Sequence, residues 1–171
     1  IFVARYTSSG TLLWVKGFGG GSDADNLDSG MAVAVDSSNN IVVSGNFSTQ
    51  VNFGGGVLSN GGIFVAKLTS SGGHVWSKGF ASSYDRTSNY TCGSGLGVAV
   101  DGSGNVVLVG SFMGTTDFGG GAVTSSAIDG FVVKYTSSGA YVWSKRLGNS
   151  RLDYCNAVAV DGSGNVVVTG G

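Results

Sequence analysis

An all-β repeat protein of short antiparallel strands is the fold class this sequence predicts, on three observations. The segment Phe2-Val-Ala-Arg-Tyr-Thr-Ser-Ser-Gly10 returns as Phe64-Val-Ala-Lys-Leu-Thr-Ser-Ser-Gly72 and as Phe131-Val-Val-Lys-Tyr-Thr-Ser-Ser-Gly139, each followed by a tryptophan at Trp14, Trp76 or Trp143. A second block recurs in step with it: Ala32-Val-Ala-Val-Asp36, Gly97-Val-Ala-Val-Asp101 and Ala157-Val-Ala-Val-Asp161. Helix is excluded by composition, because Glu is absent, other strong helix formers are scarce and glycine interrupts every window. The tryptophans lie 62 and 67 residues apart and the aspartates 65 and 60, so the 171 residues hold about three repeats of 60–67 residues. A period of that size marks units that bury their apolar faces only against neighbouring copies.

Four strand-like runs recur per unit, here called A to D. Run A, Met31 to Val35, places Ala32 and Ala34 on one face and Met31, Val33 and Val35 on the other. Its cognates put Gly97 and Ala99, then Ala157 and Ala159, on the small face, which suits crowding of neighbouring sheets near a central axis. The turn Asp36-Ser-Ser-Asn-Asn40 leads into run B, Ile41 to Ser44; the other copies read Asp101-Gly-Ser-Gly-Asn105 and Asp161-Gly-Ser-Gly-Asn165. Run C, Phe64 to Leu68, turns through Thr69-Ser-Ser-Gly-Gly73 into run D, Val75 to Gly79. Asp, Asn and Gly stand where tight turns need side-chain hydrogen bonds or positive φ. Four short antiparallel strands per repeat make one blade of a β-propeller. The expected division is a half blade at 1–30, blades at 31–96 and 97–156, and a half blade at 157–171.

These blocks resemble the bacterial β-propeller repeat called the SBBP-type, or seven-bladed β-propeller, repeat. The resemblance rests on Asp129-Gly-Phe131-Val-Val-Lys134 through Gly139 and Trp143, then on Ala157-Val-Ala-Val-Asp161-Gly-Ser-Gly-Asn-Val-Val-Val-Thr-Gly170. It covers nearly all regular positions of the three copies. It departs between runs B and C, at Val51-Asn-Phe-Gly-Gly-Gly56 and Thr116-Asp-Phe-Gly-Gly-Gly121, where no proline occurs. The resemblance implies a propeller fold and an extracellular or cell-surface setting; it implies no activity.

The chain opens in run C and closes in run B, giving three A–B pairs and three C–D pairs. Propellers close with four to eight blades. The expectation is therefore a piece of a longer protein, with further blades of the same parent chain, or closure by self-association of copies.

Glycine (32) and serine (25) make up a third of the chain, yet Val, Phe, Tyr and Trp alternate between them, unlike a disordered segment. A net charge of −1 with 11% charged residues offers no footprint for nucleic acid. No apolar run reaches bilayer-spanning length. Among partners, this points away from nucleic acid and membrane insertion and toward an unidentified ligand, a glycan or a protein.

Antiparallel strands sort the connections. The A–B and C–D turns share one end and are nearly invariant. The B–C and D–A connections share the other and diverge: 46–62 and 111–130, then 17–30, 79–95 and 147–156. Binding usually resides on such variable loops. Within them, Tyr84, Asp85, Arg86 and Tyr90, with Arg151, Asp153 and Tyr154 in the next copy, mix rings that stack on ligand faces with groups that fix orientation. The plainer alternative is an interblade ion pair such as Arg151 with Asp85.

Asp23, Asp25 and Asp28, with Asn26, form the densest oxygen cluster. Ca²⁺ takes six to eight oxygens, but the run lacks the spacing and the Glu of a calcium loop, so a solvated turn-anchoring role leads and calcium, the one cofactor considered, follows. Asp36, Asp101 and Asp161 read as turn caps. Cys92 and Cys155 fall in successive D–A loops, which leaves open a disulfide across two blades or two free small apolar residues. Trp14, Trp76, Trp143, Phe53 and Phe118 read as core, and Lys16, Lys78 and Lys145 as solvated. Asn46-Phe-Ser48 and Asn89-Tyr-Thr91 match the glycosylation acceptor pattern. The single His74 reads as a surface substitution, and no nucleophile–base grouping is present. The expected function is therefore a non-catalytic secreted or cell-surface scaffold for adhesion or ligand binding. Its alternatives are a purely structural segment of a larger extracellular protein and a calcium-dependent lectin-like module.

Overall fold

The computed structural model describes residues 1–19, 28–82, 94–149 and 151–171. Within them the chain is all-β, with fourteen strands. They are β1 (Phe2–Tyr6), β2 (Leu12–Gly17), β3 (Ser29–Val35), β4 (Ile41–Phe47), β5 (Gln50–Asn52), β6 (Val57–Ser59), β7 (Gly62–Leu68), β8 (His74–Phe80), β9 (Ser94–Val100), β10 (Val106–Asp117), β11 (Ala122–Tyr135), β12 (Tyr141–Leu147), β13 (Cys155–Val160) and β14 (Val166–Gly170).

Two four-stranded antiparallel sheets, β3-β4-β7-β8 and β9-β10-β11-β12, are the complete blades. Two-stranded sheets flank them: β1-β2, with the sequence of runs C and D, and β13-β14, with that of A and B. The sheets stack through their first strands, β3 against β9 and β9 against β13. The small face of run A explains the close approach. A Cβ added to Gly97 would stand 3.3 Å from the Ala157 Cα and 3.4 Å from the Val158 nitrogen. Three apolar cores fill the spaces between sheets. The central one joins Val42, Ile63, Val65, Trp76 and Phe80 to Leu108, Phe112, Phe118, Phe131, Val133 and Tyr135 of the next blade.

One local device repeats three times. Near its start each run A carries a bulge, a register shift between Gly30 and Ala32, opposite Val109–Ser111, and between Cys155 and Ala157. Opposite stand Gly45, Gly110 and Gly170. There the carbonyl oxygens of Ser29, Ser94 and Tyr154 come within 1.9, 1.8 and 1.7 Å of where a Cβ would lie, so only glycine admits the bulged partner.

The B–C segments differ from expectation. Rather than projecting beside the D–A connections, each folds back on its blade as a hairpin. In the first blade β5 and β6 pair separately; in the second, β10 and β11 continue through a shift between Phe112 and Gly114 to a tip at 118–121. The tip phenylalanines cause this. Phe53 packs on Phe18 and Phe64 at 5.1 and 4.9 Å between ring centroids, and Phe118 on Phe80 and Phe131 at 5.3 and 4.6 Å. Each ring thereby joins an interblade core. The triple glycine lets the tip lie flat against the outer strand: a Cβ on Gly55 would enter the His74 ring at 2.0 Å, and one on Gly120 the Tyr141 ring at 2.3 Å. His74 is thus a half-buried packing residue in the slot of Tyr141, hydrogen-bonded to Ser77 Oγ at 3.1 Å as Tyr141 is to Ser144 Oγ. The expectation of a plain surface substitution fails because the hairpin covers that position.

Candidate functional site

The invariant end is occupied by structural bonds. Asp36 Oδ1 accepts from the amides of Ser38 and Asn40 and its Oδ2 from Asn40 Nδ2; Asp101 and Asp161 repeat the arrangement. The lysine of run C closes the same carboxylate from the other side. Lys67 Nζ lies 2.9 Å from Asp36 Oδ2, and Lys134 Nζ 2.9 Å from Asp101 Oδ2. Burial alone raises both carboxyls, but the hydrogen bonds from Asn40 and Lys67, and from Lys134 and Asn105, outweigh it and hold each at about 2.

Between blades, the C–D turn of one accepts from the preceding one. Trp14 Nε1 donates to the Ser70 carbonyl and Trp76 Nε1 to that of Ser137, both at 3.1 Å. Arg5 also reaches Ser70 O at 2.6 Å, and Lys67 reaches Ser137 O at 3.3 Å. The outer lysines share in this. Lys16 Nζ donates to Gly72 O at 2.8 Å, and Lys78 Nζ sits 5.4 Å from the Tyr135 ring centroid. They are interblade contacts, whereas Lys145 is exposed as expected. The recurrence of Arg5, Lys67 and Lys134 in one slot was the sequence signal for these interlocks.

The opposite end presents the β12–β13 connection. Asp153 N donates to Ile128 O at 2.8 Å and Tyr154 N to Gly171 O at 2.7 Å. The Asp153 carboxylate accepts from Asn149 N at 3.1 Å, and Asn149 Oδ1 accepts from Arg151 N at 3.1 Å. Asp153 and Tyr154 line a cleft of about 240 Å³ with Leu147, Gly148, Thr169 and Gly170. That is below the usual 300–1,000 Å³ of small-molecule pockets. Arg151 is exposed beside it.

Beneath this connection Asp129 is fully buried. Its Oδ2 meets Arg146 Nε at 3.0 Å and accepts from Ser125 Oγ, while its Oδ1 has no hydrogen-bond partner among the described residues. In the sequence Asp129 stands only in the Asp-Gly-Phe motif that carries the family resemblance, with Gly62 as its cognate in the first blade, and no local pattern states its burial.

Cys155 is a free, buried thiol, raised by burial and by the nearby Asp153; Cys92 lies outside the described residues. Tyr84, Asp85, Arg86 and Tyr90 also lie outside them, as do Asp23, Asp25 and Asn26. Asp28 is described, and its carboxylate accepts from the amide and hydroxyl of Ser48 at 2.9 and 3.2 Å, anchoring the start of the B–C segment. Among the described residues no three His, Cys, Asp or Glu side chains are grouped to hold a metal ion.

Comparison with known proteins agrees with this architecture. Residues 142–170 match the family model of the SBBP β-propeller repeat. The chain is also 27% identical over 183 residues to an uncharacterized WD repeat-containing protein, L264, of Acanthamoeba polyphaga mimivirus, an alignment covering 85% of this chain and 12% of that protein. The chain thus spans a small part of the length of the relative it matches.

Proposed function

We propose that this chain, whose residues 142–170 match the SBBP β-propeller repeat, is a non-catalytic recognition scaffold of a secreted or cell-surface protein, binding its ligand through the D–A end. The observation that carries this reading is the asymmetry of the two ends. At the A–B and C–D end the repeated Asp, Lys, Arg and Trp groups are bonded to one another or to turn carbonyls. At the other end, Tyr154 and Arg151 are exposed, next to Asp153 in a concave site. A ring flanked by a carboxylate and a guanidinium suits a saccharide, whose apolar face stacks while its hydroxyls bond to the charged groups. Tyr84, Asp85, Arg86 and Tyr90, outside the described residues, are further candidate contacts in this proposal, and no metal is required.

A broad glycan array probed with the chain tests it. Tyr154→Ala is expected to weaken binding of any retained glycan at least tenfold, and Ser138→Ala, at the opposite end, to leave it unchanged. Wild type retaining no glycan, or equal losses in both variants, would remove the reading and leave a purely structural repeat segment.

A further inference from the structure

The outer parts of the first two interblade spaces are built from corresponding residues that differ at two places. Between β8 and the blade after it, Tyr135 reaches across the gap. Its hydroxyl donates to Phe118 O at 2.8 Å, its ring lies parallel to that of Phe80, and Lys78 Nζ stands 5.4 Å from the ring centroid. Between β2 and the first complete blade the same slot holds Leu68, whose side chain ends in methyl groups and forms none of these bridges. A groove of about 470 Å³ opens there, lined by Lys16, Phe18, Asn52, Phe53, Gly72 and His74. Its walls are β2 on one side and the hairpin and C–D turn of the next blade on the other, and its volume is usual for a small-molecule site.

The second difference is charge. Asn52 Oδ1 accepts from Gly54 N at 2.7 Å, which fixes the amide and leaves its Nδ2 protons as donors. Asp117 holds the same turn in the second blade, accepting from Gly119 N at 2.7 Å and Gly121 N at 3.0 Å, and so brings a carboxylate to that slot. Lys16 Nζ donates one proton to Gly72 O at 2.8 Å and keeps two, with no carboxylate in salt-bridge distance among the described residues. The first groove thus offers a cation and neutral donors where the second carries its own anion. Beside them the half-buried Phe18 ring, 5.1 Å from that of Phe53, supplies apolar surface.

We infer that this groove binds a carboxylate-bearing sugar, a hexuronate unit of an acidic polysaccharide, with its carboxylate on Lys16 and the Asn52 amide and its apolar face against Phe18. The ammonium is a point charge with rotatable donors, and it matches the single carboxylate of each sugar unit. The aromatic ring beside it suits the C–H face of a pyranose. The site is separate from the cleft beside Asp153 and Tyr154. It also selects between the two grooves, because Asp117 repels the carboxylate and Tyr135 fills the space at the second.

Titration of the chain with a tetramer of galacturonic acid, followed by amide NMR shifts, is expected to perturb Lys16, Asn52 and Gly72 saturably. The methyl-esterified tetramer should bind about tenfold more weakly, the size of one lost hydrogen bond to a charged group. Asn52→Asp should weaken binding of the acid by at least as much with the fold intact, because Asp117 already holds that turn in the second blade. Lys16→Met should lose a similar factor, and Tyr154→Ala, at the D–A end, should bind the tetramer as wild type does. No saturable shift at the groove would overturn the inference, as would equal affinity for the ester or in Asn52→Asp. Shifts centred on Asp153 and Tyr154 and lost in Tyr154→Ala would overturn it too, and would place acidic sugars at the D–A end. A tetra-aspartate peptide binding as tightly as the sugar would also overturn it, since the groove would then recognise charge alone.

Discussion

Substituting alanine for Gly110 is expected to destabilise the protein by about 3 kcal/mol, although the change adds one methyl group to a strand interior. The added Cβ would stand 1.8 Å from the Ser94 carbonyl oxygen and 2.9 Å from the Phe131 ring. The first neighbour is backbone, so the bulge in β9 must open to admit the methyl, and strand pairing near Val109 and Ser111 opens with it. Gly102→Ala, where an added Cβ meets nothing within 4 Å, should stay within about 0.5 kcal/mol of wild type. Urea unfolding of the pair measures the contrast. Equal stabilities would mean that the bulge does not hold the blade.

Lys67→Met is expected to cost about 3–5 kcal/mol, the usual penalty for leaving a buried charge without its partner. The Lys67 and Asp36 side chains are 4% and 5% exposed, and methionine keeps the volume while removing the ammonium. The lysine also links blades through Ser137 O, so the change loosens one turn and the next. The pH dependence separates charge from packing. Asp36 and Asp101 are held at about 2 in the folded protein, below the unfolded value of about 3.9. Each therefore contributes stability that is present above about pH 4 and lost as pH falls toward 2. The gap between wild type and Lys67→Met should be widest near neutrality and narrow as the Asp36 carboxyl takes up its proton. A gap that stays constant from pH 7 to pH 3 would mean that Lys67 acts through packing alone.

Much of this frame was legible in the sequence because it repeats. The three Asp-x-Ser-x-Asn turns and the alternation of small and large residues in β3, β9 and β13 state their geometry directly: a cap two to four residues ahead of its donors, and a crowded face. The folded-back hairpins were not legible. Gly54-Gly-Gly56 and Gly119-Gly-Gly121 read as loop, and only the packing of Phe53 and Phe118 between sheets turns them onto the blade. The roles of Lys16 and Lys78 were hidden for the same reason, since their partners lie in the next repeat and no local pattern names them. Asp153 and Tyr154 stand out in the sequence because they diverge from the repeat, and the structure places both on the lining of one cleft. Asp129 was missed although its cognate in the first blade is Gly62, because its burial against Arg146 is a tertiary contact that no local pattern states.

Native-state hydrogen exchange tests most directly the claim that identical residues build the same bonded blade in each copy. The central strands of both complete sheets, β4, β7, β10 and β11, should exchange slowest. The amides of Asn40, Asn105 and Asn165, each bonded to an aspartate Oδ1, should all be protected relative to their exposed neighbours. Protection confined to one sheet, or an Asn105 amide exchanging as fast as a free loop, would contradict a repeated frame.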